Sequence, residues 1–207
     1  MTAVARRVEW HKLKDLLWWG DRPVVQAGLP LSQLSGIWQM FLLGNGSPTR
    51  LLQLVSHSPV GVELIATDVI GDRTDSAPAE IKLIAVPRVR RQIWLKSERS
   101  GEIFAYAVSW WHKADLEQFV PNPHLPIGTN LQLQNLEVYR DLRAVYQGRC
   151  PALAAVFGTE GPCWGRHYLI WHGGRPITLI YEIFNPALGQ YLGQEVPPPP
   201  PDCGLVF

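Results

Sequence analysis

Two pairs of strand-like segments constrain the fold of this 207-residue chain more than any other feature. Residues 86–97 and 102–111 are long strand candidates joined by the short loop SERSG. The segment GRHYLIWHGGRPITLIYEIFNP holds a second pair, and its Gly-Gly dipeptide supplies the positive φ angles of a tight turn. Hairpins without strand–helix–strand units predict an α+β fold, built on a single mostly antiparallel β-sheet with flanking helices.

Apolar residues at helical spacing predict four helices around this sheet. The N-terminal segment MTAVARRVEWHKLKDLLWWG is predicted to be an amphipathic helix, and LEVYRDLRAVYQG carries apolar residues near the same spacing. In LSQLSGIWQMFLLGNG, Ser32 is the expected N-cap, and the glycines end the helix. HKADLEQF is expected to form one short helix.

The remaining segments are predicted to be strand, loop or extended chain. Residues 49–70 carry β-branched and apolar residues in alternation, which predicts a strand, and PNPHLPIGTN predicts a loop. The tail QEVPPPPPDCGLVF cannot pair in a sheet and is expected to be extended. The chain therefore divides into an N-terminal helical extension at 1–30, a main domain at 31–190 and a proline-rich extended tail at 191–207.

Composition and charge exclude several functional classes. The formal net charge is +1 and the basic residues form no stripe, so we expect no nucleic-acid partner. The sequence contains no apolar run long enough to span a bilayer and no signal-peptide pattern, which indicates a cytoplasmic protein. Cys150, Cys163 and Cys203 match no zinc-binding spacing and the histidines are not paired, so we expect reduced thiols and no metal site.

Arg91 is the most unusual residue of the first hairpin. Side chains alternate between the two faces of a strand, so Arg91 shares its face with Val89, Ile93 and Leu95. A guanidinium on such an apolar face is costly unless it meets an anion. The anion is either an internal carboxylate or a bound ligand, whose carboxylate would suit the planar guanidinium fork. A bulge that turns Arg91 to solvent is the third alternative.

Glu182 and Arg166 are the unusual charged residues of the second hairpin. Both faces of the strand around Glu182 are largely apolar, which predicts a central strand covered on both sides. A carboxylate there either forms a salt bridge with one of the arginines or forms a wall of a ligand cavity. Arg166 is expected to be an exposed base at the start of a strand.

Four segments, in the same order along the chain, resemble the chorismate lyase family. They are MFLLGNGSPTRLLQ, RRQIWL, LPIGTNL and CWGRHYLIWHGGRPITLIYEIFNP, and the resemblance covers residues 31–188. It makes the main domain chorismate lyase-like and implies that Arg91 and Glu182 are catalytic. It also implies that the substrate-binding residues are Ser47, Thr49, Ile127, Gly128 and Arg166.

The family resemblance implies a function. Chorismate lyases convert chorismate to 4-hydroxybenzoate and pyruvate without a cofactor, which begins the route to prenylated quinones such as ubiquinone and plastoquinone. The resemblance thus implies a cofactor-independent carbon–oxygen lyase, with a buried pocket under the sheet that flexible flaps close. Arg91 would bind a substrate carboxylate, and Glu182 would accept a hydrogen bond from the 4-hydroxyl or take the C4 proton. Arg166 would add positive potential for the side-chain carboxylate.

Two other functions stay open at this point. One is a non-catalytic domain of the same fold that senses an aromatic acid, because fold alone does not give activity. The other is an interaction protein whose proline tail binds aromatic grooves of a partner. For the lyase we favour a monomer whose partners are chorismate and 4-hydroxybenzoate.

Three residues depart from the family pattern. Pro48 has no backbone N–H to offer a ligand, and Ile127 replaces the usual leucine. Tyr181 precedes Glu182 where the family commonly has threonine, and it is expected to narrow or reshape the pocket.

Overall fold

The fold is a single β-sheet covered by short helices. The computed structural model describes residues 8–26 and 34–193. The strands of that part are β1 Lys14–Asp21, β2 Val60–Gly71, β3 Arg88–Ser97, β4 Ile103–His112, β5 Tyr139–Arg149, β6 Cys163–His172 and β7 Arg175–Phe184. They lie in the order β1-β5-β6-β7-β4-β3-β2, and every pairing is antiparallel. The predicted α+β fold with one antiparallel sheet is confirmed.

The helices are short. They are α1 Arg22–Gln26, α2 Gly36–Leu43, α3 Pro48–Ser56, α4 Lys113–Phe119, α5 Ile127–Leu133, α6 Pro151–Phe157 and α7 Gly189–Leu192, with 3-10 turns at Ala79–Leu83 and Pro186–Leu188. Among the described residues, no helix is long and apolar enough to cross a membrane.

Both predicted hairpins are confirmed, and they meet in the middle of the sheet. The first is β3–β4 and the second is β6–β7, and β4 pairs directly with β7. Gly173 and Gly174 form the second turn with φ angles of 56° and 76°, which glycine adopts without a steric penalty. Because β7 has three strands on either side, it is the central strand that the sequence predicts.

The N-terminal helix prediction is wrong over the residues described. Residues Lys14–Asp21 form β1, an edge strand that pairs with β5. The indole of Trp18 packs toward Trp164, with ring centroids 5.9 Å apart, and Trp19 is exposed. Backbone pairing with the open edge of β5 therefore overrides the local helical pattern. The predicted boundary near residue 30 stays a prediction.

Helix α2 is confirmed, with a different N-cap. Ser32, the predicted cap, lies outside the described residues, as does the proline tail with Cys203. The cap within them is Ser35, whose Oγ accepts a hydrogen bond from the Trp38 N–H at 3.1 Å. Trp38 and Phe41 lie in the core beneath this helix.

The segment LEVYRDLRAVYQG forms strand β5 instead of a helix. The pairing of β5 with β6 shifts register between Leu142 and Ala144. This bulge interrupts the two-residue alternation that identifies a strand. The apolar residues before and after it then coincide with helical spacing, which explains the error.

Two other segments form helices where the sequence predicted a strand or a loop. Residues 49–56, predicted as strand, belong to α3, where Pro48 takes the first helical turn and Leu52 is buried. Proline suits that position because its missing N–H has no intrahelical partner there. The second half of the PNPHLPIGTN loop begins α5. Strand β2 starts later than predicted, at Val60.

The sheet buries residues on both faces. One face, which we call the cavity face, carries Arg91 and Glu182 and packs against α2 and α3. The other, which we call the opposite face, carries Arg90 and Tyr181 and packs against α6 and the Ala79–Leu83 turn. Rows of paired residues cross each face, and one row of the cavity face is Arg91, Ser109, Ile180 and Tyr168.

Candidate active site

A cavity of about 470 Å³, including its open mouth, lies on the cavity face. Six of the seven predicted site residues line it, and Arg166 does not. The six are Ser47, Thr49, Arg91, Ile127, Gly128 and Glu182. Apolar side chains form most of the remaining wall, among them Ile93, Leu95, Ala107, Ile170 and Ile180.

Arg91 is buried in this cavity with unused hydrogen-bond donors. Only 2% of the residue is exposed, and Nη2 donates to the Pro123 carbonyl at 2.6 Å. Nε and Nη1 have no partner, and no ion pair among residues 8–26 and 34–193 includes Arg91. Burial lowers the pKa of Arg91 to about 10. The alternatives of an internal carboxylate partner and of a solvated side chain are therefore wrong, and the strand-alternation prediction is right.

Glu182 lies in the same cavity and is fully supported by neighbours. Its Oε2 accepts a hydrogen bond from Arg166 Nε at 2.9 Å, and its Oε1 accepts one from the Tyr168 hydroxyl at 3.0 Å. The residue is 3% exposed. Both alternatives for Glu182 thus hold together, because it forms a salt bridge with an arginine and also a wall of the cavity.

Arg166 is a buried anchor behind the cavity. The prediction of an exposed strand-end base is wrong, since only 1% of the residue is exposed. Its Nη1 donates to the carbonyls of Phe41 at 2.7 Å and Leu42 at 3.0 Å, in the last turn of α2. A cation at these carbonyls complements the negative end of the helix. Arg166 therefore links the position of Glu182 to that of α2.

The rim of the cavity is formed by the starts of α3 and α5. A Cβ atom added at Gly128 would lie 3.0 Å from Ser47 Oγ and 3.5 Å from Arg140 Nη2. Any larger side chain at Gly128 would therefore displace this part of the rim. Thr49 is buried beside Pro48, whose ring replaces a backbone donor at the helix start.

Comparison with known proteins assigns the family. Residues 42–192 match the family model described as chorismate pyruvate-lyase Rv2949c-like. The chain belongs to this family. It is 33% identical over 174 residues to "Uncharacterized protein ycf21" of Cyanophora paradoxa, a match that covers 84% of this chain and 90% of the relative. The family resemblance seen in the sequence is thereby confirmed.

Two of the solved structures with a similar fold come from one bacterial protein of distant sequence. The chain superposes on PhnF from Mycobacterium smegmatis with a TM-score of 0.53 at 11% identity, covering 70% of this chain and 66% of that one. The effector domain of PhnF gives the same TM-score, and the match covers 92% of that domain. At this identity the likeness establishes the fold and nothing further.

Two cavity residues of this chorismate pyruvate-lyase-like chain were missed from the sequence. Tyr168 lies two residues from Arg166 in β6, so strand alternation places both on one face and could have identified it. Arg140 was hidden because its segment was predicted as a helix, although it lies in β5 and lines the cavity.

Tyr181 does not reshape the cavity as expected. It lies on the opposite face, where its hydroxyl accepts a hydrogen bond from the Leu13 N–H at 3.2 Å. Within residues 8–26 and 34–193, no cluster of His, Cys, Asp and Glu could hold a metal ion. Cys150 and Cys163 are free and buried, and burial raises the pKa of both thiols, that of Cys163 to about 11.

Proposed function

We propose that this protein is a chorismate lyase, which converts chorismate to 4-hydroxybenzoate and pyruvate inside the cavity. The observation that carries the proposal is the buried guanidinium of Arg91, with Nε and Nη1 unpartnered in a cavity that also holds Glu182. A charged group this deep needs an anion, and a carboxylate accepts strong charge-assisted hydrogen bonds from a guanidinium. Membership of a chorismate pyruvate-lyase-like family supports a ring carboxylate as that anion.

The reaction places few demands on acid–base groups. The C3–O bond breaks, its electron pair leaves with the enolpyruvyl oxygen, and the C4 proton is lost. The electrons of the C4–H bond complete the aromatic ring, and the released enolate takes up a proton at its methylene carbon to become pyruvate. Because aromatisation provides the driving force, we assign the site the tasks of orienting the substrate and excluding water. The largely apolar walls suit both tasks.

Glu182 is assigned to the 4-hydroxyl group of the substrate. Each carboxylate oxygen has room for a second hydrogen bond beyond those from Arg166 and Tyr168. Accepting a hydrogen bond from the 4-hydroxyl would fix the ring opposite Arg91 and orient the C4–H bond. In this role Arg166 and Tyr168 act through Glu182, as residues that hold the carboxylate in one orientation. The aromatic product would then enter the synthesis of a prenylated quinone.

The test is direct conversion of the substrate. Purified protein incubated with chorismate should produce 4-hydroxybenzoate and pyruvate in a 1:1 ratio, with 4-hydroxybenzoate measured by chromatography with ultraviolet detection and pyruvate with lactate dehydrogenase. A chorismate control without protein gives the spontaneous rate. No protein-dependent product, at protein concentrations where 4-hydroxybenzoate binding is measurable, would contradict the lyase and favour an aromatic-acid sensor.

The sensor alternative is supported by the fold shared with the PhnF effector domain. A sensor would bind 4-hydroxybenzoate through the same Arg91 and Glu182 but leave chorismate intact. The conversion assay and a binding titration on the same preparation therefore separate the two functions.

A further inference from the structure

We infer that Arg140 is a second anion-binding residue of the cavity, which binds the carboxylate of the substrate's enolpyruvyl side chain. This assignment rests on the proposed function, because it concerns the second carboxylate of chorismate. It replaces Arg166 in that role.

The position of Arg140 places a second cation across the cavity from the first. Arg91 lies in β3 and Arg140 in β5, the outermost strands that contribute to the cavity wall, with β4, β7 and β6 between them. The two strands are four sheet spacings apart, which is about 19 Å between backbones. Long side chains that enter one cavity from its two ends can bind the two ends of one small molecule.

The hydrogen bonding of Arg140 leaves donors for a ligand. Nη1 donates to the Asn45 carbonyl at 3.3 Å, and Nε is buried with no partner among residues 8–26 and 34–193. None of the ion pairs in the described part of the chain involves Arg140. Nη2 lies beside the rim, 3.5 Å from the position of a Cβ at Gly128. By contrast, Arg166 is committed to Glu182 and the end of α2 and does not line the cavity.

The charges of the cavity fit a dianion better with Arg140 than without it. Glu182 is the only acidic residue that lines the cavity among the described residues, and Arg166 pairs with it from behind. Arg91 and Arg140 are the lining cations, and each has a buried donor without a partner. Chorismate carries two carboxylates, whereas 4-hydroxybenzoate carries one. Two free cations therefore match the substrate, and one matches the product.

This arrangement predicts that Arg140 distinguishes the substrate from the product. When the C3–O bond breaks, the second carboxylate leaves with pyruvate, and Arg140 loses its partner. Affinity for 4-hydroxybenzoate should then depend on Arg91 and not on Arg140. A stable probe of the dianion is 3-carboxymethoxy-4-hydroxybenzoate, which has both carboxylates and no bond to eliminate.

The experiment compares Arg140→Gln with Arg143→Gln, a neighbour in β5 that pairs with Asp141 and does not line the cavity. For Arg140→Gln we expect the KM for chorismate and the Kd for the dianionic probe to rise about 10- to 100-fold, the scale of a charged hydrogen bond. The Kd for 4-hydroxybenzoate should change less than about twofold, which also shows that the variant is folded. Arg140→Lys should recover part of the affinity for both dianions, and Arg143→Gln should resemble the wild type.

Two results would overturn the assignment. If Arg140→Gln lost as much affinity for 4-hydroxybenzoate as for the dianions, Arg140 would act on the ring end of the ligand or on the fold. If its affinity for chorismate and for the dianionic probe did not change, Arg140 would contact neither. A wild type that binds the dianionic probe but does not consume chorismate contradicts the lyase alone, and the probe still tests Arg140. A wild type that binds none of the three ligands contradicts both proposals.

Discussion

Arg90 and Arg91 are adjacent in β3, equally buried, and opposite in their surroundings. On the opposite face, Arg90 Nη1 donates to Asp75 Oδ2 at 2.9 Å and Nη2 to Asp68 Oδ2 at 2.8 Å, so two carboxylates surround one guanidinium. On the cavity face, Arg91 has one carbonyl partner and, among the residues that the structure describes, no carboxylate. Because strand alternation separates the two residues, one strand carries both an arginine within an ion cluster and the arginine that we propose as the ligand-binding cation.

The difference shows how burial and function can be told apart in this fold. A buried arginine that finds its counter-ions within the protein contributes to the folded state itself. A buried arginine without them carries a desolvation penalty that only a ligand relieves. The free energy of unfolding and the ligand affinity should therefore respond in opposite ways at these two neighbouring positions.

The largest expected effect is on the stability of the ion cluster. Arg90→Ala should lower the free energy of unfolding by about 3–5 kcal/mol, because Asp68 and Asp75 lose their shared cation in a largely buried setting. Urea denaturation followed by tryptophan fluorescence measures the change. A loss below about 1 kcal/mol would mean that water replaces the guanidinium freely.

The second effect concerns ligand binding at the neighbouring position. Arg91→Ala should weaken 4-hydroxybenzoate binding by about 2–5 kcal/mol and leave the protein folded, because the variant removes the partner of the ring carboxylate. Isothermal titration calorimetry gives the Kd, and circular dichroism checks the fold. Unchanged affinity in a folded variant would rule out Arg91 as the carboxylate site.

A third effect follows from the cost of burying Arg91. Its pKa lowered to about 10 corresponds to a penalty of roughly 3 kcal/mol on the charged folded state at neutral pH. Replacement by an apolar side chain, as in Arg91→Met, should therefore raise the free energy of unfolding by about 1–3 kcal/mol at pH 7. Since the folded pKa lies below the unfolded value, the penalty is complete below pH 10 and decreases as the pH rises above it. The free energy of unfolding of Arg91→Met should exceed that of the wild type by less at pH 10.5 than at pH 7. An equal difference at the two pH values would exclude this explanation.

The smallest effect is on the opposite face at acid pH. His167 Nε2 and Glu80 Oε2 are 3.2 Å apart, and the hydrogen bond with His167 lowers the pKa of the half-buried Glu80. A carboxyl with a lowered pKa stabilises the folded state above its unfolded pKa, and this stabilisation is lost as the pH falls through the folded value. Glu80→Gln should thus lower the free energy of unfolding by less than about 1 kcal/mol at pH 6, and by still less below pH 4. Denaturation curves at the two pH values measure this loss. A larger loss of stability at low pH would contradict the stabilising role of the Glu80–His167 hydrogen bond.

The sequence predicted the centre of the sheet better than its edges. The hairpins around Arg91 and Glu182 are regular, so strand alternation assigned their faces correctly. The edge strand β1 and its neighbour β5 were predicted as helices, because β1 depends on pairing with β5 and a bulge in β5 breaks its alternation. Tertiary pairing of this kind has no local signal.

The errors at the site have different causes. Arg166 was predicted to be exposed because it stands near the start of a strand, but its guanidinium is covered by Glu182 and the end of α2. Arg140 was missed because its segment was predicted as a helix and not as strand β5, so strand alternation could not place it on the cavity face of the sheet. The unpartnered state of Arg91 could not be predicted, because alternation assigns a face but not the residues that cover it.

A structure of the protein with bound 4-hydroxybenzoate would show whether Arg91 binds the ligand carboxylate. We expect the ligand carboxylate to lie about 2.7–2.9 Å from Arg91 Nε or Nη1, and the 4-hydroxyl to lie within hydrogen-bond distance of Glu182. A ligand bound outside the cavity, or bound inside it with Arg91 still lacking a carboxylate partner, would contradict it.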